Sequence, residues 1–141
     1  SLYNKYYFLD YQINIINLKK TFKKFLLFNV GLLFLVFTSM FFESDEVMKF
    51  NDSLNAIPNS LIIIGLIWII FYFVSLYFLY TFEKSGKKLF SILFVLGVIL
   101  NLPLGPSAFD ALMYTLDALS WGAQSAILVF LYFTPIKKHF N

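Results

Sequence analysis

The sequence predicts an all-α membrane protein: four transmembrane helices in an antiparallel bundle, with an amphipathic N-terminal extension. Three observations predict it. The 141 residues are 60% hydrophobic and only 13% charged, far from the make-up of a soluble domain of that size. Four long apolar stretches follow one another, at about residues 25–42, 60–82, 89–104 and 108–133. Of the 11 basic residues, all lysine, ten fall in three short segments at the ends of those stretches. Helices are preferred to a membrane barrel because each stretch is long and continuous, without the alternation of lipid-facing and lumen-facing residues that barrel strands need.

Residues 1–24 form a cytoplasmic, interfacial segment. Ile15, Leu18, Phe22 and Phe25 recur at helical spacing, and Lys19, Lys20, Lys23 and Lys24 fall largely elsewhere on the wheel. Tyr3, Tyr6, Tyr7, Phe8 and Tyr11 suit the headgroup region. The first span reads as an uncleaved anchor, because the stretch from Thr38 to Glu43 offers no small-x-small cleavage site. Glu43, Asp45, Glu46 and Asp52 then make a solvated loop rather than a metal site, since they lack the order of an EF-hand.

The third span is about 24 Å long at helical rise, short for a hydrocarbon core of roughly 30 Å. It therefore needs cover from its neighbours. The breaker cluster from Asn101 to Pro106 turns it back into a tight hairpin with the fourth span. Ser107-Ala108-Phe109-Asp110 has the form of a capping box for that helix, and Pro135 begins the tail 135–141. The domains are thus 1–24, the four-helix domain 25–134, and the tail.

Lysines lie before the first span, between spans two and three (Lys84, Lys87, Lys88) and in the tail (Lys137, Lys138), whereas the other two loops hold only Lys49. By the positive-inside rule both termini are cytoplasmic, and the chain is read as integral to a bacterial inner membrane. The net charge of +3 is a topology signal and not a nucleic-acid footprint.

The fourth span carries the most information. Ala111, Thr115, Ala118, Gly122 and Ser125 form a stripe of small residues, a candidate face for close packing of a second helix. Beside it run Asp110, Tyr114, Asp117, Trp121 and Gln124, while Leu112, Leu116, Leu119, Ile127 and Phe130 remain for bulk packing or lipid. Asp117 is the acidic group hardest to place, because a carboxylate at membrane depth costs several kcal/mol, on the order of 2.5–3.5, unless it faces a bundle interior or water. Asn101 is its candidate polar neighbour by depth, Asn29 lies closer to Gln124, and Trp68, Tyr72 and Ser75 share one face of the second span. Gly31, Gly65 and Gly97 read as packing positions.

With no Cys, no Arg and one His near the end of the chain, thiolate, haem, zinc and nucleophile–histidine sites lack their residues, and no cofactor is expected. The leading expectation is a non-enzymatic protein acting through helix–helix association in the bilayer. It would be an accessory subunit of a membrane complex or a binder of another membrane protein, an immunity-type role included, whereas a homo-oligomer would favour the runner-up. The runner-up is a small oligomeric transporter or channel for protons, ions or a small solute, with Asp117 as its working group. An enzyme using Asp110, Asp117 or the acidic loop comes third.

Overall fold

The structure, a computed structural model, describes residues 2–54, 59–102 and 107–140. It is helical throughout, with no strand among the described residues. Three stretches are long and apolar enough to cross a membrane: Asn14–Phe42, Ser60–Tyr80 and Ala111–Phe133. Residues 103–106 of the breaker cluster, and the side chains of Tyr3, Tyr6, Tyr7, Phe8 and Tyr11, lie outside the described residues.

Helix α1 (Leu2–Ser39) is continuous for 38 residues and closes in a 3-10 turn, Met40–Phe42. The apolar residues of its lysine-bearing part are drawn into the bundle, with Phe22 fully buried and Leu18 and Phe25 packed on the core. Next comes α2 (Asp45–Ser53), a helix where the sequence reading places a loop. Ser44 starts it, its Oγ accepting the Val47 N–H at 3.4 Å, and Asp45 and Glu46 favour the positive end of the helix dipole.

Helix α3 (Asn59–Tyr80) runs into α4 (Lys84–Asn101) through a tight turn. The Glu83 N–H donates to the Phe78 carbonyl at 2.8 Å and the Phe82 N–H to the Leu79 carbonyl at 3.2 Å, the bond pattern of a Schellman end. That turn wants a left-handed residue, and Phe82 supplies it with φ 61° where glycine is usual. Such a backbone costs an ordinary residue about 1–2 kcal/mol. The ring offsets it, meeting Phe22 at 6.0 Å, Phe140 at 5.4 Å and His139 at 5.9 Å. Lys19 and Lys23 add their ammonium groups, 5.3 and 5.4 Å from the ring centre.

Helix α5 spans Ala111–Phe133, three residues later than its sequence start. The expected capping box does not form. Asp110 sits at the N-cap, but its carboxylate turns away to Ser44, accepting the backbone N–H at 2.6 Å and the hydroxyl at 3.1 Å. Ala108 is held in turn by Asn51, which accepts its N–H at 2.9 Å and donates to its carbonyl at 3.0 Å. Four hydrogen bonds thus latch the α2 segment onto the residues leading into α5. The tail forms a 3-10 helix, Pro135–Phe140, whose Ile136 and Phe140 are buried. His139 lies against Phe82, and partial burial with nearby Lys19 holds its pKa below the usual histidine value.

The helices pack as two pairs, α1 along α5 and α3 along α4, with far less contact between the pairs. What joins them is the lysine end. There Phe22, Leu26, Leu76, Leu79, Phe90 and Leu131 form one buried cluster with the tail's Ile136 and Phe140. Gly86 allows the closest approach, since a Cβ there would lie 2.8 Å from the Phe78 carbonyl carbon. Around this core the surface is apolar: Phe34, Ile63, Ile70 and Leu112, on the three helices able to cross a membrane, are all exposed, as side chains facing lipid must be.

Candidate functional site

Toward the acidic end the two pairs part and leave a cavity of about 380 Å³ that all four long helices line. Its wall is mainly apolar, from Leu33, Val36, Phe37, Ile69 and Met113, and both tryptophans of the chain, Trp68 and Trp121, border it. Ser107 and Phe109 line its outer end, next to the latched Ala108 and Asp110.

Trp68 is fixed twice. Its Nε1–H donates to the Leu93 carbonyl of α4 at 2.8 Å, and its ring stacks on Tyr72 at 5.1 Å. Gly97 leaves it room, because a Cβ there would come within 2.8 Å of Trp68 Cζ2. Trp121 meets Phe94 edge-on at 5.7 Å. Gly31 and Gly65 are different from Gly97, with nothing within 4 Å of an added Cβ, and Gly65 opens onto the cavity itself.

The polar stripe of α5 is divided. Asp117, Trp121 and Gln124 line the cavity, whereas Tyr114 points outward and is 67% exposed. At 100° per residue the buried positions Met113, Ser120, Ala123, Ile127 and Leu131 centre on the side of α5 opposite the small-residue stripe. Asp117 and Gln124 therefore stand on the flank of the buried side, and Tyr114 falls on the far flank. Ala111, Thr115, Ala118, Gly122 and Ser125 are all exposed, and a Cβ at Gly122 would meet nothing within 4 Å. Of the bulky set, Ile127 is buried and Leu112 and Leu119 are exposed.

Hydrogen bonding singles out two amides. Gln124 is 3% exposed; its Nε2 donates to Ser120 Oγ at 3.3 Å, and its Oε1 has no partner. Asn29, fully buried on α1, accepts from the Tyr72 hydroxyl at 3.0 Å and leaves its Nδ2 unpaired. Ser75 bonds within its own helix, to the Tyr72 carbonyl at 2.7 Å. Asn101 is likewise committed to its own helix, its Nδ2 donating to the Gly97 carbonyl at 2.9 Å, though it too borders the cavity. Asp117 is the one formal charge on the cavity wall, and it has no hydrogen-bond or ion-pair partner among the described residues.

Sequence reasoning brings together Asp117, Trp121, Gln124 and Asn101 as the structure does, and places Asn29 below them, where it is paired with Tyr72. It misses Met113 and Ser120 on the cavity wall and the Asn51 latch at the outer end. For the latch a signal existed, since Ser44-Asp45-Glu46 is a helix start. Among the described residues no three metal-ligating side chains converge. Comparison with protein-family models, curated proteins and solved structures finds no match.

Proposed function

We propose that the protein is a four-span, non-enzymatic protein of a bacterial inner membrane, with both ends cytoplasmic, that works by binding a helix of another membrane protein. The crossing by α4 is supported by the exposure of Ile92, Val95, Val98 and Ile99, which suit lipid. The orientation is supported by the lysines around the buried core end.

The observation that carries the reading is the outward small-residue face of α5. In a bilayer, apolar surface alone drives no association, since lipid is as apolar as leucine; close backbone approach between small residues does. This chain builds such a face and leaves it uncovered by its own helices. Gly122→Leu tests it. The substitution has open space, and leucine is the better helix former by about 1 kcal/mol, so the thermal unfolding temperature should hold or rise. In mild detergent the wild type should copurify with a larger partner at fixed stoichiometry, and the variant should lose it. A wild type that purifies alone, or only with itself, ends the reading, as does a variant that keeps its partner.

A second reading, movement of protons, ions or a small solute through Asp117, is favoured by the cavity. Its expected result is a gradient-driven flux in liposomes that Asp117→Asn abolishes; no flux in the wild type ends it.

A further inference from the structure

The lining of the cavity favours one kind of occupant. Asp117 is a carboxyl group without a hydrogen-bond or ion-pair partner, and no lysine or histidine lines the wall among the described residues. Two indoles border the cavity, a ring type that attracts positive charge, and the remaining wall is mainly apolar. A volume of about 380 Å³ lies in the range of small-molecule sites. Water would meet the carboxyl group but not the apolar wall.

From these observations we infer that the cavity binds a protonated lipophilic amine, its N–H toward the Asp117 carboxylate and an apolar or aromatic body along Trp68, Trp121 and Met113. A metal ion or inorganic cation fits less well, because only one carboxylate is present and the wall is mostly carbon. The inference deepens the second reading by naming a ligand chemistry. The two fail separately, since binding is measured at equilibrium with no gradient applied.

Both tryptophans of the chain border the cavity, so their emission reports its occupancy directly. The full chain in lipid nanodiscs is titrated with three probes of similar shape: dimethylbenzylammonium, which carries charge and an N–H; benzyltrimethylammonium, which carries charge alone; and neopentylbenzene, which carries neither. Expected is a saturable emission change with dimethylbenzylammonium, several-fold weaker binding of the quaternary ion, and no saturable binding of the hydrocarbon. Asp117→Asn should weaken the amine at least about tenfold, the order expected for losing a charge-assisted contact. Gly65→Phe, placed in open space on the cavity wall, should abolish the change while α3 stays folded. The inference is overturned if the hydrocarbon binds as well as the amine, if Asp117→Asn leaves amine affinity unchanged, or if the wild type shows no saturable change.

Discussion

Phe22→Ala is expected to lower stability by about 3–5 kcal/mol, the range for removing a large aromatic side chain from a packed interior. The ring is 0% exposed and touches three others, those of Phe82, Phe130 and Phe140, at 6.0, 5.7 and 6.1 Å. Those three belong to the α3–α4 turn, to α5 and to the tail, so one truncation opens a void where four parts of the chain meet. In a membrane the lost term is chiefly van der Waals contact, because lipid tails are as apolar as the core. Unfolding in mixed micelles, followed by tryptophan emission, measures it. Phe34→Ala is the control: that side chain is 68% exposed, and its removal should change little. Equal losses at the two positions would mean that the lysine-end cluster is not the core.

Gly86→Leu should be nearly as damaging, at about 3 kcal/mol or more, for the opposite reason. A Cβ at that position would lie 2.8 Å from the Phe78 carbonyl carbon and 2.9 Å from the Leu79 nitrogen. Both are backbone atoms and cannot rotate aside, so the start of α4 must lift from the end of α3. Gly65→Ala has open space and should be neutral or stabilising, by up to about 1 kcal/mol of helix propensity. The ordering of the two variants in thermal unfolding checks the geometry. If Gly86→Leu unfolds with the wild type, the close contact between α3 and α4 is absent in solution.

Gly86 also shows where reading a sequence stops. The three helices long and apolar enough to cross a membrane were legible because a lipid-facing helix must be apolar for its whole length, and that leaves a run no loop imitates. The acidic helix α2 was not, because nine residues, six of them polar or charged, look like a loop unless the Ser44 cap is weighted. Asp110 misled for a related reason: a carboxylate three residues after a serine fits a cap, but here Ser44, 66 residues away in the chain, holds it instead. At the site, the spacing of Asp117, Trp121 and Gln124 placed them on one side of one helix. It could not say which side of α5 faces inward, since in a bilayer both a bulky and a small face can be outermost. The inward turn of Gln124 and the outward turn of Tyr114 come from packing against α1, which a single helical wheel does not contain.

The uneven joining of the two helix pairs has a mechanical consequence. From Leu131 in the core to Met113 on the cavity wall, α5 is a rigid arm of about 27 Å, so a tilt of about 5° at the fulcrum moves its far end by roughly 2 Å. Local strain near Phe22 would be small for such a tilt, whereas the cavity would change by a large share of its width. The aperture of the cavity is therefore set by the angle between the two helix pairs as well as by the residues that line it.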